Sequence, residues 1–133
     1  MSSNSMPTSP HMSVYRWQIT MTLSILHRLS GVVLLSAALG LVYWLVSLAM
    51  GPAAFARAHW FFSLWIGQAF LCLWSLAFFY HLLNGIRHLT WDAGYGFTKR
   101  VYRTSGWLVV VSAITLTGVA WAIGWLLAAG GAA

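Results

Sequence analysis

Three runs of the chain carry apolar residues without a break by charge. Residues 30–50, 60–80 and 106–129 contain no Asp, Glu, Lys or Arg, and each matches the roughly 20 residues that a helix needs to cross the hydrocarbon core of a bilayer. The pattern predicts an all-α integral membrane protein: three transmembrane helices over 21–50, 60–92 and 105–129 in one membrane-anchor domain spanning 1–133. Residues 1–20 read as a polar tail and an interfacial segment. Gly51-Pro52 closes the first helix, glycine after the last turn and proline behind it, and 53–59 reads as a short outer connection. Trp60, Phe61, Phe62 and Trp65 form the aromatic belt expected at a membrane boundary. Gly94 and Gly96 break the second helix. The third carries Ser112, Thr115, Thr117, Gly118 and Gly124, small residues that let membrane helices approach closely.

Two polar stripes interrupt this pattern. On the second helix, His81, Asn84, Gly85, His88 and Asp92 share a face, because spacings of three, four, seven and eleven stack at about 100° per residue. On the first, Ser24, His27, Arg28 and Gly31 do the same, and Trp17 joins them one heptad back if the helix begins that early. The first helix begins, and the second ends, on the same side of the membrane, so the stripes lie at similar depth and are placed to face each other or a common cavity.

Composition narrows the setting. Of 133 residues, 60% are hydrophobic and 6% charged, against about a quarter charged in a soluble domain. The net charge of +6 would raise nucleic acid as a partner of a soluble protein. Here Arg16, Arg28, Arg87, Lys99, Arg100 and Arg103 fall on one side of the predicted spans and only Arg57 on the other. By the positive-inside rule the N-terminus lies inside and the C-terminus outside. The segment 97–104, with Lys99, Arg100 and Arg103 between Phe97 and Tyr102, reads as a surface stretch against anionic lipid headgroups. The start of the chain, rich in Ser and Pro, has neither a signal-peptide nor a transit-peptide pattern; this points to a bacterial inner (plasma) membrane rather than the mitochondrial inner membrane. Cys72 is single and reads as a packing residue.

The polar residues each admit a plain reading and a functional one. His11 and His59 read as ordinary structure. His88 is close to Asp92 at i+4, which suggests an intrahelical pair. His81 lies about 10 Å deeper along the helix than His88, and an imidazole at that depth needs a hydrogen bond or a metal. Arg28 and Arg87 either snorkel to the interface or bind an anionic group. Gly31 and Gly85 serve close helix packing, room for a flat ligand, or both. Ser24 can bond the carbonyl one turn back. Were His81 to hold a haem, His88 could not be the opposite axial ligand, since both lie on one helix; the second ligand would be His27 or a residue of a partner subunit. Propionates would then want Arg28, Arg87 or His27.

Taken together, Ser9-Pro10-His11, Tyr15-Arg16, Ser24-Ile25-Leu26-His27-Arg28-Leu29-Ser30-Gly31, His81-Leu82-Leu83-Asn84-Gly85-Ile86-Arg87-His88-Leu89 and Asp92 resemble the cytochrome b subunits of succinate dehydrogenase, the larger membrane anchors of respiratory complex II. The paired helix patterns S-x-x-H-R-x-[ST]-G and H-x-x-x-G-x-R-H are specific together. The resemblance implies an anchor without catalytic residues of its own for succinate oxidation, which belongs to a flavoprotein subunit; an iron–sulfur subunit passes the electrons on. It implies a haem b shared with a smaller membrane anchor, with His81 as the axial iron ligand on this chain and His27 and Arg87 at the propionates. It implies a ubiquinone pocket with Ser24 and Arg28 at the headgroup and Trp17 at its border. A fumarate reductase anchor, or a haem-free structural anchor, is the alternative.

Overall fold

The computed structural model describes residues 16–130. The polar tail and Ser9-Pro10-His11 lie outside them. The described residues form four helices and no strand: α1 (Ile19–Ala49), α2 (Pro52–Ser63), α3 (Trp65–Asp92) and α4 (Lys99–Gly130). Three of them, α1, α3 and α4, are long and apolar enough to cross a membrane. At 28 to 32 residues they extend about 42 to 48 Å at 1.5 Å per residue. That exceeds a hydrocarbon core of about 30 Å, so their ends reach the headgroup region or the helices tilt. This is the architecture of an integral membrane protein.

Successive long helices run antiparallel. Leu23 meets Tyr80 near one end of α1 and Ser36 meets Trp74 further along. Arg87 meets Ser105, and Ser75 meets Trp121. The start of α1, the end of α3 and the start of α4 therefore share one end of the bundle, with Arg28, Arg87, Lys99, Arg100 and Arg103. Arg57 sits on α2 at the other. The buried apolar cluster is a narrow seam, formed by Leu23, Tyr80, Val109 and Ala113 with Ile19, Phe79, Leu83 and Val110 against it. Large apolar side chains cover most of the remaining surface, as expected of helices that face lipid and other subunits.

The structure differs from the sequence expectation in three places. The connection at 53–59 is helical. Gly51 takes φ +102, a conformation that favours glycine. Pro52 occupies the first turn, where its missing N–H costs nothing, and four alanines follow among 53–58. Gly51-Pro52 thus ends one helix and starts the next. The second span does not begin at Trp60: the chain leaves the helix at Leu64 (φ −62, ψ 152) and re-enters at Trp65. A Cβ on Gly67 would strike the Phe61 carbonyl, so the close return of α3 past the end of α2 needs glycine there. The Gln68 amide donates to the freed Phe62 carbonyl at 2.7 Å. Finally, the basic segment 99–104 is the first turn and a half of α4, continuous with the span.

Candidate functional site

The site is assembled where α1 and α3 cross. His27 and His81 lie with their rings stacked, centroids 3.9 Å apart and planes 13° from parallel. His88 joins them, tilted, at 5.3 Å from His27. The two polar stripes do face each other. A glycine lies against each of the two stacked rings. A Cβ on Gly31 would lie 3.4 Å from the His81 ring, and one on Gly85 would lie 3.9 Å from His27. Each stripe's glycine backs the imidazole of the opposite helix.

His81 is held by a three-membered set of hydrogen bonds. Its Nδ1 is 3.0 Å from Ser30 Oγ and 3.2 Å from the His27 carbonyl, while Ser30 Oγ donates to that same carbonyl at 2.8 Å. The carbonyl can only accept, and the one hydroxyl proton of Ser30 is already directed at it. Both contacts to His81 are therefore favourable only if Nδ1 carries the proton. The tautomer follows: Nδ1–H is shared between Ser30 and the His27 carbonyl, and Nε2 keeps its lone pair. Among the described residues none bonds Nε2. The stack with His27 covers one face of the ring. His27 Nδ1 is buried without a partner among the described residues, a polar atom whose desolvation none of them offsets.

The three imidazoles do not form a metal cage: among the described residues no set of three His, Cys, Asp or Glu side chains converges on one point. The arrangement suits a single imidazole ligand with an anchored Nδ1, the pattern by which histidine is oriented toward a metal.

The other candidate residues divide by exposure. Arg28 is exposed beside the stack, with no partner among the described residues. Ser24 is half-buried one turn before His27. Ser30, Ser36 and Ser47 on the same helix each donate back to a carbonyl; Ser24 makes no such bond, contrary to the expectation of a self-satisfied hydroxyl, and its donor is available. Trp17 is 65% exposed and precedes the helix. Gln18 is extended (φ −96, ψ 143), so Trp17 does not continue the stripe as a helical position.

Arg87 is turned the other way. It is buried, and its guanidinium reaches α4: Nε donates to Ser105 Oγ at 3.0 Å and an η nitrogen to the Tyr102 carbonyl at 2.9 Å. The other η nitrogen donates to Asn84 Oδ1 at 3.4 Å, and the group lies 4.1 Å over the Trp91 ring. Three of its five N–H donors are thus engaged within this chain. Asn84 is fully buried, with its Nδ2 unpartnered. His88 packs its ring edge-on to Trp91, centroids 5.2 Å apart, and the expected pair with Asp92 is not formed among the described residues.

Sequence reasoning missed two supports of this site. Ser30 stood in the quoted pattern with no role attached to it. The Tyr80 hydroxyl donates to the Leu23 carbonyl at 2.7 Å and fixes α3 against α1 one residue before His81; its place at the head of the polar stripe was the available signal.

Comparison with known proteins identifies the family. A family model described as the succinate dehydrogenase/fumarate reductase transmembrane subunit matches residues 2–120. A succinate dehydrogenase cytochrome b556 subunit from Rickettsia felis is 47% identical over 118 residues, covering 89% of this chain and 92% of the relative. One from Paracoccus denitrificans is 36% identical, covering 81% and 84%. A mitochondrial succinate dehydrogenase cytochrome b560 subunit from Mus musculus is 37% identical, covering 87% and 70%. The family match takes in both stripes, α1, α3 and most of α4, and the chain belongs to the succinate dehydrogenase/fumarate reductase transmembrane subunit family, as a cytochrome b-type membrane subunit of succinate dehydrogenase.

Proposed function

We propose that this chain anchors a succinate:quinone oxidoreductase in the bacterial inner membrane, with its N-terminus and histidine cluster inside and its C-terminus outside. In this reading it binds haem b through His81, shares that haem with a smaller membrane anchor, and forms part of the ubiquinone site that receives electrons from an iron–sulfur subunit. The flavoprotein subunit oxidises succinate. The succinate direction, rather than fumarate reduction, follows the names of the relatives.

The observation that carries the haem assignment is the state of His81. Its Nδ1–H is anchored, its Nε2 lone pair is unengaged, and its ring is seated against Gly31. The unpartnered His27 Nδ1 and the exposed Arg28 supply a hydrogen-bonding atom and a cation beside it, which suits the propionates of a haem. Arg87 keeps two free N–H donors for the same purpose, though its main contacts are to α4. When bound, haem b supplies a one-electron store within the membrane. The chain's own contribution would be one imidazole, His81, held in a fixed tautomer, with a further ligand to the haem supplied by a second subunit.

For the quinone, Ser24 offers a hydroxyl donor that no carbonyl of its helix takes up. Arg28 offers a guanidinium that can stabilise the negative charge developing on the headgroup oxygen as it is reduced. Trp17 precedes them at the mouth of the helix and borders the headgroup in this reading.

The test is spectroscopic first. His81→Ala in the assembled complex is expected to abolish the haem b absorbance; an unchanged spectrum rules out His81 as the ligand. Ser24→Ala and Arg28→Ala are expected to lower quinone reduction at least tenfold while sparing succinate oxidation with a soluble artificial acceptor. Retention of both activities would remove the pocket assignment.

A further inference from the structure

We infer that Ser30 is a positioning residue for the haem ligand: its hydroxyl accepts from His81 Nδ1–H, fixes the Nε2-metal tautomer and tunes the donor strength of the imidazole. This rests on the reading of His81 as the axial ligand, and deepens it by naming the residue that sets the ligand's electronics.

The argument is one of proton accounting. Ser30 is 7% exposed, so water does not compete for its hydroxyl. Its proton is directed at the His27 carbonyl at 2.8 Å, which leaves an oxygen lone pair facing His81 Nδ1 at 3.0 Å. A hydroxyl that donates to a carbonyl becomes a better acceptor, because the two bonds polarise each other. The Nδ1–H is therefore held by an oxygen of raised acceptor strength and, at 3.2 Å, by the carbonyl itself. Pulling on Nδ1–H raises electron density on the ring and makes Nε2 a stronger donor to a metal. A stronger donor stabilises the ferric over the ferrous state.

The geometry also ties the ligand to the other stripe. Ser30, His27 and Gly31 all belong to α1, whereas His81 belongs to α3. The hydroxyl thus fixes ring rotation across the helix pair as well as the tautomer. The histidine that stacks on His81 is the residue whose carbonyl completes the set, so a displacement of α1 at His27 changes both contacts together.

The test uses the assembled complex and reads the haem. In Ser30→Ala the Nδ1–H keeps only the longer bond to the His27 carbonyl. We expect the ferric/ferrous equilibrium, measured by redox titration of the haem band, to move about two- to tenfold toward ferrous haem, the size of one ordinary hydrogen bond. The low-spin ferric resonance signals should shift in the sense of a weaker imidazole donor. Ser30→Thr, which keeps the hydroxyl, is expected to restore both. A variant with merely loosened packing would lose haem or stability without this pairing of potential and ligand-field change, and Ser30→Thr would not correct it selectively. If Ser30→Ala does not assemble, Ser30→Cys carries the same comparison, being similar in shape with a far weaker acceptor. An unchanged potential and unchanged signals in a haem-loaded Ala or Cys variant would overturn the role of Ser30 while leaving His81 as ligand. Survival of the haem in His81→Ala would instead overturn the underlying assignment.

Discussion

The two ends of this bundle are held together by different means. At the end with the histidines, helices are joined by directed bonds: Tyr80 to the Leu23 carbonyl, Ser30 to His81, and Arg87 to Ser105 and the Tyr102 carbonyl. At the other end, α1, α2 and α3 meet mostly through aromatic rings, Trp44 edge-on to Phe55 and Tyr43 and Trp74 each against Phe62, with directed bonds from Trp74 to Ser36 and from Gln68 to the Phe62 carbonyl beside them. A cavity of about 570 Å³ remains there, lined by residues that include Trp44, His59, Phe62 and Trp74. Directed bonds fix rotation about a helix axis; ring packing fixes separation and tolerates rotation. A ligand to a metal needs the first kind of support, and it lies where that kind predominates.

The largest effect is expected at Arg87. No carboxylate pairs with it among the described residues; its charge is met by two neutral oxygens, the Asn84 amide and the face of Trp91. Arg87→Ala removes three charge-assisted bonds and leaves a cavity between α3 and α4. We expect a loss of about 2 to 4 kcal/mol, given about 1.5 to 3 for a single bond to a charged group and the offset from no longer burying a cation. Arg87→Lys is not expected to rescue it, because an ammonium cannot span Ser105 and Tyr102 while lying flat on an indole. Thermal unfolding of the detergent-solubilised complex checks both variants. Equal stability of the Lys variant and the parent would show that charge alone, and not the planar fork, is required.

How much of this was legible beforehand follows from what each signal depends on. The spans depend on composition over about 20 residues and were plain. The convergence of the stripes depends on helical periodicity, and His27 does stack on His81. The direction of Arg87 was not legible, because its position at the end of α3 fits both a group bound at the histidine side and a tether to α4. The choice was made by Ser105 and Tyr102, 18 and 15 residues further on. The break at Leu64 was not legible either. Leucine carries no turn preference, and the signals nearby, Gly67 and Gln68, act by tertiary approach. Gly51-Pro52 was read as an end when the same two residues also begin α2.

Next in size is a substitution at the aromatic end. Gly40 lies directly beneath the Trp74 indole, and any Cβ there would overlap the ring. Trp74 is pinned in turn by its Nε1–H, which donates to Ser36 Oγ at 3.1 Å. Gly40→Val is expected to cost about 1 to 3 kcal/mol through overpacking, while leaving the haem absorbance of the assembled complex intact. Coupled loss of stability and haem signal in this variant would show that the two ends are not independent. Tyr80→Phe follows, at about 1 kcal/mol for one buried bond with shape conserved. Unlike Gly40→Val, it should broaden the haem's redox titration, since Tyr80 immediately precedes His81.

The smallest effect is expected at His59, and it completes the comparison. This histidine sits on α2 at the aromatic end, exposed, with its ring 6.2 Å from Phe55 and roughly parallel to it. Its backbone carbonyl accepts from Ser63 Oγ; its side chain makes no hydrogen bond among the described residues. His59→Phe preserves the ring contact and removes two nitrogens that serve no partner among the described residues. Stability should change by less than about 0.5 kcal/mol, as at other exposed sites without directed contacts, and the haem band and its potential should stay as they are. His27→Phe also preserves a ring contact, the stack on His81, and keeps the backbone carbonyl that holds Nδ1. It removes the buried Nδ1 atom and the neighbouring donor, so its effect on haem content should exceed that of His59→Phe. Indistinguishable haem content in the two variants would show that stacking alone is what His27 contributes.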